Sequence, residues 1–115
     1  MSPLDVSRAI PMAREGDFDR WLSARGRSER EIVVAIYKKS SAKQTVTLAA
    51  LQETALCHGW VDTQTKGIDE ERYAIRFGPR RPGSTWAPSS RRLARRLLEE
   101  GRIRPAGLAT LPADL

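Results

Sequence analysis

The sequence predicts an α+β fold: a single domain with a small, mostly antiparallel sheet and helices packed mainly on one of its faces. Segments rich in β-branched residues alternate along the chain with segments whose apolar residues recur at helical spacing. Glycine, proline or a capping residue bounds each segment. The length of 115 residues, with 40% hydrophobic and 30% charged residues, suits one ordinary globular domain.

Three helices are predicted, over residues 17–25, 47–58 and 88–100. Asp17 and Thr47 are residue types that cap a helix, because their side-chain oxygens accept a hydrogen bond from a backbone N–H of the first turn. Gly26, Gly59 and Gly101 follow the three segments, where helices commonly end. Each helix is expected to bury one apolar face.

Three strands are predicted, over residues 31–39, 60–65 and 72–77. The first is apolar and β-branched on both alternating faces, which is typical of a strand covered on both sides or nearly so. The last alternates, with Tyr73, Ile75 and Phe77 on one face, and this favours a half-buried strand antiparallel to its neighbour. A frataxin-like two-layer sandwich fits this order, by analogy of fold alone.

The domain is predicted to span residues 17–110, between a loose N-terminal arm over 1–16 and a short tail over 111–115. The arm contains two prolines and little apolar periodicity. The single cysteine, Cys57, cannot form an internal disulfide, which suits a reducing compartment. We find neither an apolar leader nor a run of membrane-spanning length, and we therefore expect a cytoplasmic protein with no membrane span.

Positive charge is concentrated in one third of the chain. Residues 72–104 contain ten arginines and only two acidic residues, Glu99 and Glu100, within a chain of net charge +6. Guanidinium groups present a planar fork that suits carboxylates and phosphates. GC-rich codon usage, which favours arginine, is an alternative explanation for the choice of arginine, but it does not explain the scarcity of acidic residues in this third.

The candidate ligand-binding residues surround a proline-braced loop. Pro79 and Pro82 stiffen residues 78–85, so this loop is expected to hold side chains and backbone N–H groups ready for an anion. The pattern is equally typical of a solvated turn in which Trp86 fills the gap to the next helix. The candidates are Trp60, Asp62, Arg76, Arg80, Arg81, Ser84, Trp86 and Arg91.

Two of these candidates have a structural interpretation that we favour. Trp60 and Asp62 lie on one face of a predicted strand, where tryptophan more often belongs to a core than to a ligand platform. Three roles are open for Asp62: general base, cation ligand, or ion-pair partner of Arg72 or Arg76, the last being the default. Arg91 lies at the positive end of its predicted helix, where a docked anion would relieve the unfavourable charge.

Neither catalytic residues nor a metal site nor a cofactor is predicted. Cys57 and His58 are adjacent on a predicted helix, so their side chains diverge by about a hundred degrees and do not pair. A packed cysteine beside a C-terminal histidine is the interpretation we favour. One cysteine and one histidine do not provide the ligands of a zinc site, and Asp62 and Ser84 show no triad spacing with either residue.

The segments ALCHGWVD, over residues 55–62, and RFGPRRPGSTW, over residues 76–86, resemble the signature of the YdeI/OmpD-associated family of small bacterial proteins. The likeness extends over residues 17–110 and includes the RPAGL segment at 104–108. It implies a role in envelope stress or bacteriocin protection, without a reaction to carry over. It also implies a further C-terminal helical region, which a chain ending at Leu115 is expected to lack.

The sequence therefore predicts a non-enzymatic, stress-associated bacterial protein with a basic, arginine-rich anion-binding surface. The expected partner is an anionic small molecule or another phosphate-containing ligand. Three alternatives stay open: a nucleic-acid-binding protein that uses the same surface, a protein-interaction module linked to envelope stress, and an enzyme. For the enzyme, the plausible acids, bases and nucleophiles are Asp62, His58, Cys57 and Ser84.

Overall fold

The structure, a computed structural model, describes residues 3–115 apart from the side chain of Glu15. The described helices are α1 (Glu15–Arg25), α2 (Leu48–Cys57), α3 (Pro88–Glu99) and α4 (Pro105–Leu108). The described strands are β1 (Ile10–Pro11), β2 (Ile32–Tyr37), β3 (Trp60–Gly67) and β4 (Arg72–Pro79). The predicted α+β class is confirmed, and each predicted helix and strand is present with small shifts of its ends. None of the described helices is long and apolar enough to cross a membrane.

Local capping explains where two helices begin. The Thr47 hydroxyl accepts a hydrogen bond from the Ala50 backbone N–H at 3.1 Å, so its predicted capping role is confirmed. The predicted start at Asp17 is wrong by two residues. The Asp17 carboxylate, in the first turn, accepts from the backbone N–H of Arg14 at 3.1 Å. Since that bond ties the preceding residue to the first turn, α1 begins at Glu15.

The described sheet has the strand order β1-β2-β4-β3 and two antiparallel pairings out of three. Strand β2 lies inside the sheet, antiparallel to β4 over residues Ile32 to Tyr37 and parallel to the short strand β1. The β3–β4 hairpin carries an irregularity between Asp62 and Gln64, which is a break in the ladder of the kind that re-aims side chains.

The main core lies between the sheet and helices α1 and α2. Phe18 and Phe77 are fully buried there, with ring centroids 4.8 Å apart. Leu51 of α2 and Ile75 of β4 are buried beside them. The register sets Val34 opposite Ile75, so alternate positions of β2 and β4 face this layer together. The predicted packing of helices on one face is thus confirmed for α1 and α2.

The N-terminal segment covers part of the second face of the sheet. Leu4 is buried with Val33 and Ala74, and Val6 packs on the same cluster. The arm predicted to be loose is therefore packed in its described part, and β1 extends the sheet. The prediction missed this because the segment has no periodicity and derives its order from the sheet beneath it. This cover confirms that β2 is enclosed on both faces.

Helix α3 packs on α2 rather than on the sheet. Its residues Ala94 and Leu97 are buried against the end of α2, in a second, smaller core. The chain beyond α3 returns over this core, where Leu111 and Leu115 are partly buried. Residues 111–115, predicted to be a tail, thus contribute to the packing of the domain.

We expect Leu4→Ala to lower the free energy of unfolding by about 2–5 kcal/mol, as for other large buried aliphatic side chains that are truncated. Ile10→Ala is the matched control in the same segment. The Ile10 side chain is 43% exposed, so its truncation should cost less than about 1 kcal/mol. Urea unfolding followed by circular dichroism measures both. Equal, small effects would contradict the packed arm.

Gly107→Ala should lower the free energy of unfolding by about 1–3 kcal/mol, because an added Cβ would overlap the carbonyl oxygen of Cys57. Gly67→Ala is the control, since a Cβ at that position meets nothing within 4 Å. The same unfolding experiment compares the two alanine variants. A Gly107→Ala protein as stable as the control would mean that α4 does not pack closely on α2.

Candidate functional site

A groove of about 780 Å³ lies where β4 ends. Its walls come from the residues just before β2, the hairpin β3–β4 and the loop after β4. Gly78 lies close to the backbone of Arg30, because an added Cβ would lie 3.3 Å from the Arg30 carbonyl oxygen. We call this site the arginine groove, and its charged and hydroxyl-bearing residues are Arg30, Glu31, Thr63, Arg76, Arg80, Arg81 and Ser84.

Arg76 lies in the floor of the arginine groove. It is buried, and its Nε lies 3.1 Å from a carboxylate oxygen of Glu31. Its Nη1 donates to the side-chain oxygen of Gln64 at 3.2 Å. A buried guanidinium needs such partners, since desolvation of an uncompensated charge is costly. Arg76 therefore contributes a fixed positive charge to the floor, held in place by its neighbours.

Arg80 stands in a different environment. Its guanidinium carbon lies 4.0 Å from the ring centroid of Trp86, which is a close cation–π contact. In the described part of the chain this side chain makes neither an ion pair nor a hydrogen bond. Burial lowers the pKa of the Arg80 guanidinium, and the nearby Asp62 carboxylate raises it. Arg80 thus remains a cation that is partly removed from water.

A tight turn carries Ser84 beside Arg80. The Ser84 N–H donates to the Arg81 carbonyl at 3.2 Å, and Gly83 has a φ of 72°. Proline followed by a left-handed glycine is the pattern of a type II turn. The Ser84 hydroxyl is buried and has no hydrogen-bond partner among residues 3–115 of the structure. An unsatisfied hydroxyl in a lined groove is a donor available to a ligand.

Trp60 and Arg91 lie outside the arginine groove. Trp60 is buried, with its ring edge-on to Trp21 at a centroid distance of 5.7 Å, so it belongs to the core. Arg91 forms an ion pair near the C-terminus, where its Nη2 lies 3.3 Å from a carboxylate oxygen of Asp114. The structure therefore brings together Arg76, Arg80, Arg81, Ser84 and Trp86, but not these two residues.

The default role expected for Asp62 is wrong. Arg72 pairs with Asp69 at 3.0 Å and Arg76 pairs with Glu31, so neither arginine pairs with Asp62. The Asp62 carboxylate accepts instead from the Gln52 side-chain amide, at 3.4 Å to each oxygen. Asp62 lies on the helix-facing side of the sheet, near α2, because its partner in the register is Phe77 of the main core.

Arg30 and Glu31 were missed by the sequence reasoning. They precede β2 and enter the groove only because β2 pairs antiparallel with β4, which brings residue 32 beside residue 77. The sequence does show these two opposite charges just before its most apolar strand. They do not indicate which strand β2 pairs with, since strand pairing is not local in sequence.

Cys57 and His58 are packed side chains, as the favoured interpretation expected. Burial raises the pKa of the Cys57 thiol. The His58 Nε2 lies 2.8 Å from an Asp19 carboxylate oxygen, and Arg104 approaches the same carboxylate at 3.2 Å. This network ties the end of α2 to α1 and to the segment before α4. In the described part of the chain, no three acidic, histidine or cysteine side chains are grouped as metal ligands.

A family model described as "Domain of unknown function (DUF8412)" matches residues 10–110 of the chain. The match covers both the β1 strand and the short helix α4. The comparison with curated proteins and the comparison with solved structures gave no match.

Asp19→Asn should lower the free energy of unfolding at neutral pH by about 0.5–1 kcal/mol, since this carboxylate is partly exposed. The hydrogen bond from His58 holds the pKa of Asp19 below its ordinary value of 3.8, against the opposing effect of burial, and Arg104 lowers it further. A pKa depressed in the folded state adds stability above pH 3.8, and this is lost as pH falls through the folded value.

The difference in unfolding free energy between the parent and Asp19→Asn should therefore shrink below pH 3.8. Urea unfolding at a series of pH values measures it. Glu29→Gln is the control: Glu29 is exposed, has no side-chain ion pair in the described residues, and should change the stability by less than about 0.5 kcal/mol. A difference for Asp19→Asn that stays constant on acidification would contradict a lowered pKa of Asp19 in the folded protein.

Proposed function

The chain belongs to the DUF8412 family of domains of unknown function, and we propose that it is a non-enzymatic protein that binds an anionic ligand in the arginine groove. The ligand class is a small molecule that carries phosphate or carboxylate groups. One observation carries the proposal: Arg80 is a partly buried cation whose side chain forms neither an ion pair nor a hydrogen bond with the described residues. The remaining support comes from Ser84 and from the distribution of charge.

The environment of Arg80 favours an anion as its missing partner. Partial removal from water weakens the solvation of the guanidinium, and the face of Trp86 compensates for only part of that loss. An oxyanion that accepts from the guanidinium fork would restore two strong, charge-assisted hydrogen bonds. The backbone N–H of Arg80 donates to the Gly59 carbonyl at 2.8 Å, so the residue is anchored before any ligand arrives.

The Ser84 turn supports the same ligand chemistry. Its buried hydroxyl would donate to an anion bound at Arg80 and gain the hydrogen bond it lacks in the described chain. Pro82 and Gly83 fix the turn, so little conformational entropy is lost when a ligand is bound.

Most of the other arginines in this basic third are neutralised by acidic residues from elsewhere in the chain. Glu53 pairs with Arg96 and Arg102, and Asp19 pairs with Arg104. Arg30 and Arg81, by contrast, are exposed at the groove and form no side-chain ion pair within residues 3–115. The groove that contains Arg80 and Ser84 is therefore lined by more basic than acidic side chains.

A nucleic-acid ligand is the second candidate, because Arg92 and Arg95 on α3 are exposed and form no side-chain ion pair in the described chain. Trp60 and Trp86 offer little ring surface on which the bases of a nucleic acid could stack. Trp60 is buried, and one face of the Trp86 ring is occupied by Arg80. A small anion is therefore the ligand we favour.

Three further parts of the proposal rest on other grounds. The resemblance to the YdeI/OmpD-associated family supports a role in bacterial stress resistance. The single, buried Cys57 supports a cytoplasmic location. A protein-interaction module is the remaining alternative, for which the exposed side chains of Leu98 and Leu108 are the candidate contacts.

Pyrophosphate added to the protein should shift the NMR signal of the Trp86 indole N–H, because its ring lies against Arg80. Trp21 and Trp60, which pack together in the core, provide internal reference signals. Arg80→Ala should weaken binding about tenfold or more, as expected for loss of a charge-assisted contact. Arg92→Ala removes the same charge outside the groove and should change the affinity less than threefold, as roughly expected for a distant exposed charge.

Ser84→Ala separates binding from stability. It should weaken pyrophosphate binding several-fold, yet leave the free energy of unfolding unchanged or raised by about 1 kcal/mol, because a buried unsatisfied hydroxyl is removed. Equal losses of affinity in Arg80→Ala and Arg92→Ala, or an unperturbed Trp86 signal in the parent protein, would contradict the proposal. Binding of a single-stranded DNA oligomer that falls steeply with salt would favour the nucleic-acid candidate.

A further inference from the structure

We propose a second ligand site, beyond the arginine groove: a small pocket that binds a zwitterion of amino-acid size between Asp62 and Arg80. The pocket is a cavity of about 210 Å³ at the meeting point of α2, the start of β3 and the first turn of α3. This volume suits one small molecule rather than a polymer.

The two charges of this Asp62 pocket are complementary but separate. Asp62 and Arg80 both line the cavity, yet they form no ion pair with each other. They lie close together, since the Asp62 carboxylate raises the pKa of Arg80 against the effect of burial. Two opposite charges that face one cavity without closing on each other leave space for a ligand that contacts both.

Asp62 has acceptor capacity that the described residues do not use. Its two oxygens provide about four lone-pair positions, and the Gln52 amide supplies only long contacts, 3.4 Å to each oxygen. An ammonium group has three donors directed around one nitrogen, which suits a carboxylate with open positions. The guanidinium of Arg80 presents the complementary fork for a carboxylate.

The charge balance of the pocket selects a zwitterion over a simple anion. One acidic and one basic side chain line it, so its formal charge is zero, whereas the arginine groove has an excess of positive charge. Inside this pocket, beside Asp62, a lone carboxylate would be repelled by the Asp62 carboxylate, and a lone amine would be repelled by the Arg80 guanidinium. A molecule that carries both groups satisfies both residues at once.

The rest of the lining fits the hydrocarbon part of such a ligand. Leu56, Trp60 and Leu93 contribute apolar atoms to the lining, and Ser89 and Ser90 belong to the same lining. Small-molecule sites typically combine apolar surface with a few placed polar groups. The predicted ligand class is therefore an amino acid with a small aliphatic side chain.

The test compares L-valine with two molecules that each lack one of its charged groups. Isovalerate lacks the ammonium group, and isobutylamine lacks the carboxylate. We expect L-valine to shift the backbone amide signals of Val61, Asp62 and Ser90 in NMR spectra of the whole chain. Isovalerate and isobutylamine should bind at least about tenfold more weakly, since each loses one charge-assisted contact and meets one repulsion.

Two variants test which charged side chains bind L-valine. Asp62→Asn should reduce the affinity for L-valine about tenfold and make it resemble the affinity for isovalerate. Arg81→Ala, which removes a charge from the arginine groove only, should leave L-valine binding unchanged. Equal affinities of the parent protein for L-valine and isovalerate, full L-valine binding by Asp62→Asn, or no shift with L-valine would overturn the proposal. The pyrophosphate experiment is unaffected by these outcomes, so the two proposals fail separately.

Discussion

The antiparallel pairing of β2 with β4 is the constraint on which the rest of the structure depends. Its register sets Val34 opposite Ile75 on the helix-bearing face and Val33 opposite Arg76 on the second face. A slip of one residue would exchange these sets, burying Arg76 in the main core and exposing large apolar side chains. The pairing therefore fixes the core, the face that the N-terminal segment covers, and the floor of the arginine groove.

Arg80 lies where the two proposed sites meet, because β4 ends beside the turn that follows α2. Gly59, with a φ of 78°, makes that turn, and its carbonyl accepts from the backbone N–H of Arg80. On one side Arg80 adds to the excess of arginines in the groove, and on the other it balances the charge of Asp62. One guanidinium thus lies between a basic groove and a pocket of zero formal charge, and this difference in charge is the reason that we propose different ligands for the two sites.

The arginine-rich third shows why charge along a sequence differs from charge in space. Acidic residues are scarce between residues 72 and 104, yet folding brings Asp19, Glu31 and Glu53 to several of these arginines. These acidic partners come from α1, α2 and the residue before β2, which are far away in the sequence. Of the arginines that line the groove, Arg30, Arg80 and Arg81 form no side-chain ion pair in the described residues. Net charge by segment therefore does not show which arginines form an ion pair in the folded domain.

The sequence by itself determined the features that depend on neighbouring residues: the fold class, the cap at Thr47, the left-handed Gly59 and the proline-glycine turn before Ser84. Side-chain capping, backbone freedom and apolar periodicity act over a few residues, so they can be seen in the amino-acid order. Only the tertiary structure decided that the N-terminal arm packs on the sheet, that Arg30 joins the groove and that Asp62 faces Arg80 without an ion pair. These depend on contacts between distant segments, whose geometry is set by strand register and helix packing.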